Sequence, residues 1–169
     1  MRKSKNVIVQ GLNAYLNVSV VPTDTTDPKP PYPYVSYKII SALEGDTFAL
    51  VDEIVPSDNP NFQHDVKVTR KEQSHFTISI NAYSLDEDEA RNLAIETADW
   101  FKFHGYDFLK GHNLVVAKTG NIIDRTQQIV DDYERRYGFD VRIRAAREIT
   151  KRVDTIESFT INQVVTANS

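Results

Sequence analysis

A mixed α+β fold is predicted by three patterns in this chain. From Val66 to Ala82 the apolar residues Val66, Val68, Phe76, Ile78, Ile80 and Ala82 hold even positions, and Lys67, Thr69, Thr77, Ser79 and Asn81 hold odd ones. A period of two marks a half-buried antiparallel strand with one wet face, bent or interrupted near Glu72 to Ser74. From Ser84 the period becomes helical, with Ala90, Leu93, Ala94, Ala98 and Phe101 on one stripe and Trp100 beside it. Finally, YERRYGFDVRIR (133–144) reads as a charged helical turn stopped by Gly138, followed at once by a strand. Phe139, Val141 and Ile143 then face the core, and Asp140, Arg142 and Arg144 face away.

Size and composition bound the rest. With 169 residues, residues 1–169 are expected to form a single domain that buries roughly 70% of its unfolded surface. A net charge of -4 speaks against general nucleic-acid binding, which needs a basic footprint. The chain has no cysteine, which removes disulfides, thiolate metal sites and cysteine nucleophiles together. Its start is basic and then apolar, but Gln10, Gly11 and Asn13 interrupt the apolar run and no small-residue cleavage site follows. No secretion signal is read there, and no run reaches the ~18 apolar residues of a membrane span.

The elements follow in order. Val7, Ile8, Leu12 and Leu16 predict an amphipathic helix over about 6–17, with Gly11 as its weak point. Val18 to Val21 is a brief β-prone run ending at Pro22. Residues 22–33, PTDTTDPKPPYP, hold five of the seven prolines and predict an extended surface loop, mobile in an isolated subunit. Strands follow at 34–40 and about 48–51, with a loop from Ile54 to His64.

Ser84 to Glu87 reads as a capping box, with Ser84 as N-cap of a helix of about 20 residues that Gly105 stops. Asp86, Glu87, Asp88 and Glu89 crowd its first turn, where they suit the helix dipole better than a metal or acid–base site. A short strand at 113–118 is followed by a second capped helix from Asp124, with Ile129, Val130, Tyr133 and Tyr137 on its face. Residues 145–154 are ambiguous between helix and strand. Ile156, Phe159 and Ile161 suggest a last strand.

No chemical site emerges. The six glycines stand apart, so no phosphate-cradling loop exists. His64, His75, His104 and His112 lack metal-ligand spacing, and no serine sits in a nucleophile elbow. No catalytic, cofactor-binding or metal residues are therefore assigned, and no cofactor. What remains is charge. Residues 133–152 carry seven basic residues against three acidic, and 84–100 carry six acidic against one basic. A head-to-tail ring uses such polarity, and so does ordinary pairing within one subunit. Arg142, Arg144, Asp86, Glu87 and Glu89 are the candidate subunit-interface residues.

The order of these features resembles the tail-terminator, or neck-terminator, family of tailed bacteriophages. The resemblance runs over roughly residues 5–162: the N-terminal helix, PYPYVSYKI after the proline loop, TISINAYS, the acidic helix through ADWF, NLVV, YERRYGFDVRIR and a later TIE. It implies a twisted, mainly antiparallel sheet with helices packed on one face. It also implies a structural virion protein of the neck, assembled in the host cytoplasm, and not an enzyme. Its expected form is a homohexameric ring that caps the tail tube, stops its polymerisation and offers a surface for head–tail joining. The partners would be itself, the tail tube protein and a connector or stopper, with no membrane and no sequence-specific nucleic acid. Another neck component (adaptor or stopper) is the alternative, and a small cytosolic enzyme or ligand-binding module a remoter one.

Overall fold

The computed structural model of the protein describes residues 2–45, 47–129 and 132–154. It is mixed α/β, with eight strands in a mostly antiparallel sheet and few helices. The strand order is β1 (Ser19–Pro22), β2 (Tyr34–Glu44), β4 (His64–Ser84), β8 (Asp132–Asp154), β5 (Leu114–Thr119); β3 (Phe48–Pro56) pairs with β4, and β6 (Ile123–Asp124) and β7 (Gln127–Ile129) with β8. Two compact units are formed, one from Met1–Asp46 and Gln73–Ala146, the other from Thr47–Glu72 and Arg147–Ser169.

In the first unit, α1 (Arg2–Leu16) buries Ile8, Leu12 and Leu16, one side chain per turn along a single face. Gly11 is a contact rather than a weak point. A Cβ there would lie 2.5 Å from the Trp100 ring and 2.7 Å from Phe108, so glycine lets the aromatic residues press on the helix. Asn17, at φ 53°, turns the chain out of the helix, the left-handed position that asparagine tolerates. β1 (Ser19–Pro22) then pairs with β2 (Tyr34–Glu44), and the pair is parallel. The proline-rich stretch is thus a crossover connection, and Pro22 lies on a sheet edge, where a missing N–H is tolerated.

β4 (His64–Ser84) is one continuous strand, not an interrupted one. What changes near Glu72 to Ser74 is its partner. β3 (Phe48–Pro56) pairs with 64–72 and β2 with 75–83, both antiparallel. The loop expected from Ile54 therefore starts later, because Ile54 to Pro56 stay in register with Val66 to His64. Phe76, Ile78, Ile80 and Ala82 are buried as the alternation requires, but Ser79 and Asn81 are buried too, so the other face is not wet there.

The cap of α2 (Glu87–Asp99) lies two residues beyond the expected one. Ser84 is fully buried at the end of β4, and its hydroxyl accepts from the Asp86 N–H (3.1 Å) and bonds the Glu89 carboxylate. Asp86 is the N-cap, accepting from the Glu89 N–H at 2.8 Å. A π-helical turn, Trp100–His104, then places two successive aromatics, Trp100 and Phe101, in the core. Gly105 is needed because a Cβ would meet the Trp100 ring at 2.6 Å. α3 (Tyr106–Gly111) leads to β5 (Leu114–Thr119).

The largest departure from expectation lies at 123–138. No helix forms there among the described residues. β6 (Ile123–Asp124) and β7 (Gln127–Ile129) pair antiparallel with the start of β8 (Asp132–Asp154). The Asp124 carboxylate accepts from the Thr126 N–H at 2.8 Å, closing a local turn instead of a helix start. Local spacing suggested a helix, but cross-strand pairing overrides weak propensity. Residues 145–154 are settled as strand for the same reason. Val130 and the strand proposed around Ile156, Phe159 and Ile161 lie outside the described residues.

The core of the first unit joins α1, α2 and α3 to β2, β4, β5 and β8, with Phe101 edge-on to Phe139 at 6.3 Å between ring centroids. In the second unit, β3, residues 64–72 of β4 and the last part of β8 form a three-stranded sheet. Thr69 meets Thr150 (3.3 Å), Lys71 meets Glu148 (3.4 Å) and Glu72 meets Arg147 (2.9 Å), so β4 and β8 run in opposite senses.

Candidate interaction surfaces

Three clusters organise the surface of the first unit, and all draw on β8. The first is built on Glu134, which is 9% exposed. Its Oε1 accepts from Lys29 Nζ (2.8 Å), from the Tyr32 hydroxyl (2.6 Å) and, at longer range, from the Tyr34 hydroxyl (3.5 Å). Tyr34 stacks on its cross-strand partner Tyr83 at 4.7 Å, and the Arg136 guanidinium lies 5.9 Å from the Tyr83 ring centroid. The proline stretch, expected to be mobile, is thereby tied to β8. Its start is tied as well, by the Thr23 N–H to the Tyr37 carbonyl (2.9 Å) and by Asp24 to Lys38 (2.7 Å). A small cavity of about 140 Å³ remains between the stretch, Tyr34, Tyr83 and Glu134.

Burial drives the Glu134 carboxyl upward, but hydrogen bonds from Lys29 and Tyr32, with the charges of Lys29 and Arg136, outweigh it. The net result holds the group below its ordinary range. Burial, and then the Glu134 charge, push the Tyr34 hydroxyl well above its ordinary value, so it remains a donor. A carboxyl lowered on folding contributes stability in full above its unfolded value of about 4.3. That contribution is lost as pH falls through the lowered folded value. Glu134→Gln should cost about 1–2 kcal/mol at neutral pH. Its thermal stability should then fall less than that of wild type on acidification below about pH 4. Thermal melts across that range read the difference, and parallel acid profiles would show that another group carries it.

The second cluster explains the dry polar face of β4. Arg125 Nη1 donates to Ser79 Oγ (2.9 Å) and Asn81 Oδ1 (3.0 Å), and Nη2 to Asp140 (3.2 Å). Gly138 lies beneath it. A Cβ at that position would meet Asn81 Oδ1 at 2.4 Å, the Ile80 carbonyl at 2.7 Å and Arg125 Nη1 at 2.9 Å. None of the described glycines has a positive φ, so Gly138 serves close approach between strands and not a helix end. Sequence reasoning missed both Arg125 and Glu134. The available signal was the run of Ser and Asn opposite a buried face, which needs a donor once another strand covers it.

The third comprises the residues picked out by charge. Val141 and Ile143 are fully buried, and Arg142 and Arg144 are exposed on the opposite side of β8, as their alternation requires. Arg144 lines a groove of about 190 Å³ with Lys110, Gln73 and Asn113. At the acidic helix start, Asp86 is the cap, Glu87 accepts from the Tyr137 hydroxyl (3.1 Å), Asp88 pairs with Arg91, and Glu89 bonds Ser84. A wider groove, about 450 Å³, runs past Asp86, Asp88, Glu89 and Glu96 over Leu16 and Leu93. The helix start thus finds these partners near itself, while the two arginines leave β8 from the side away from the core.

Nothing in these clusters resembles a reaction centre. Among the described residues no group of three or more His, Cys, Asp or Glu side chains is placed to hold a metal. His104 stacks on Tyr15 at 5.2 Å, and His112 Nδ1 lies 2.8 Å from the Phe108 carbonyl oxygen, so both rings have structural contacts. No described helix is long and apolar enough to cross a membrane.

Comparison with known proteins gives one family. The family model described as phage neck terminator protein matches residues 6–168, nearly the whole chain. No curated protein matches the chain. With clusters that bind elements together and a family match over nearly the whole chain, the chain belongs to the phage neck terminator protein family, structural proteins of the virion's head–tail junction.

Proposed function

We propose that this protein is a tail terminator: a homohexameric ring that sits on the last ring of tail tube protein, stops its polymerisation and presents a surface to the connector or stopper of the head. The family match over residues 6–168 is the observation that carries this reading. No catalysis, cofactor, membrane or sequence-specific nucleic-acid contact enters it, and assembly takes place in the host cytoplasm. Residues 1–169 act as one domain, a reading supported by β4 and β8, which contribute to both units. The helices cover one face of the sheet.

The ring joint joins Arg142 and Arg144 of one subunit to Asp86, Glu87 and Glu89 of the next. The arginines look away from the core of their own subunit, and a row of two guanidinium groups ~7 Å apart matches a row of carboxylates. A head-to-tail joint of this kind forms a ring when its rotation closes after a whole number of subunits. Exposed ion pairs at the joint are screened over a Debye length of ~8 Å near physiological ionic strength, so association weakens with salt. Negative-stain imaging and sedimentation of the purified protein, alone and mixed with tail tube, test the proposal. Six-fold rings capping the tube end are expected; a monomer under both conditions would sink it.

A further inference from the structure

Two surfaces of the first unit, which is described except for residues 1, 46, 130 and 131, are complementary in charge and in shape. The first begins where the π-helical turn ends. Gly105 is pressed against the Trp100 ring, and α3 then opens with Tyr106, which is 54% exposed. One turn on, the Lys110 ammonium lies 5.6 Å from the centroid of the Tyr106 ring. Lys110 also shares a groove with Arg144, whose cross-strand partner Val115 forms part of the wall. Among the described residues no carboxylate lines that groove, Arg144 has no ion pair or hydrogen bond, and Lys110 has only the tyrosine ring. Two like charges in one groove repel each other until an anion comes between them.

The second surface is the wider groove along α2. Its floor includes Leu16 and Leu93, both part of the core, and its rim carries Asp86, Asp88, Glu89 and Glu96. Three of those carboxylates are engaged: Asp86 caps the helix, Asp88 meets Arg91 and Glu89 meets Ser84. Among the described residues Glu96 has no such partner. An apolar floor under an acidic rim suits an aromatic ring flanked by cations.

We propose that this groove receives Tyr106 of a second copy of the chain, with Lys110 of that copy against Glu96 and Arg144 against the Asp86–Glu89 end of the rim. The contact rests on the ring proposed above and gives its joint an apolar centre. Exposed ion pairs alone contribute little, whereas an aromatic anchor seated in a pocket carries much of the energy of an interface. From Asp86 to His104 the chain runs roughly 25 Å as helix, so Tyr106 does not reach the acidic start of its own groove. Ring and groove are thus separate patches of one subunit, which makes the joint head-to-tail. Residues 155–169 are a poorer occupant, because they carry Glu157 and no lysine or arginine to answer an acidic rim. The rim also repels nucleic acid. One tyrosine and two cations cover far less than the ~800 Å² that a stable partner contributes, so a single joint is weak. Closure, which gives every copy two joints, holds the ring together.

Sedimentation of the full chain, alone and mixed with tail tube, tests the contact beside thermal melts. Tyr106→Ala should weaken association by about tenfold or more and leave the melting temperature unchanged, because the side chain is exposed in the subunit. Lys110→Glu and Glu96→Lys should each weaken association about tenfold. Their combination should restore it, which damage to the fold would not allow. Wild-type rings beside a Tyr106→Ala chain that assembles equally well would overturn the contact and leave the ring standing. So would a combined variant no better than Lys110→Glu or Glu96→Lys alone. Association that depends on Tyr106 without six-fold rings would overturn the ring size and leave the contact. A wild type that stays monomeric under both conditions would overturn both.

Discussion

Ile143→Asp should unfold the protein or come close to it. The Ile143 side chain has no exposure and packs in the core with Phe139 and Val141. A carboxylate there loses its hydration with no partner to replace it, and the expected loss is about 4 kcal/mol or more. Natural domains hold only about 5–15 kcal/mol. One position away, Arg142→Glu together with Arg144→Glu changes two exposed side chains and should leave the melting temperature nearly unchanged. It should nevertheless abolish ring assembly, because it sets carboxylates against the acidic helix start of the neighbour. A thermal melt and a sedimentation profile for each variant decide the matter. If the double arginine variant still assembles, or melts as early as Ile143→Asp, the interface assignment is wrong.

Gly138→Ala is the second large effect expected. A single methyl group would enter a space already filled by the Asn81 side chain, the Ile80 carbonyl and the Arg125 guanidinium. The carbonyl belongs to the backbone of β4 and cannot rotate away, so either the strands part or the Arg125 bonds to Ser79 and Asn81 break. Overpacking of this kind costs about 3 kcal/mol. Gly111→Ala is the control, since nothing lies within 4 Å of a Cβ there, and its stability should change by no more than about 0.5 kcal/mol. Urea denaturation of the two variants measures the difference. Equal stabilities would mean that β8 does not approach β4 as closely as described.

Long periodic segments were legible from sequence because each carries its signal within itself. The alternation through Phe76, Ile78, Ile80 and Ala82, the stripe from Ala90 to Phe101, and the inward pair Val141 and Ile143 depend only on which residues must avoid water. The arginines at 142 and 144 could be placed outward by the same parity. The first turns of 124–137 could not be read this way. Ile129, Val130, Tyr133 and Tyr137 have helical spacing, and only pairing with distant partners makes Asp132 onward a strand.

The sequence by itself determined the class of fold, the core-facing residues of β4, α2 and the later part of β8, and the absence of a phosphate loop or cysteine chemistry. Only the tertiary structure decided the roles of Glu134, Arg125 and Gly138. Each acts through groups far away in the chain: Lys29 and Tyr32 for Glu134, Ser79 and Asn81 for Arg125, Ile80 for Gly138. The same holds for exposed apolar residues of the second unit. Phe48 and Leu50 belong to a strand the sequence predicts and Ile54 to a predicted loop, and only their pairing with β4 sets all three, exposed, on one side. A pattern can say that a side chain seeks cover, but the cover itself is a contact between residues distant in sequence, and such contacts leave no period to read.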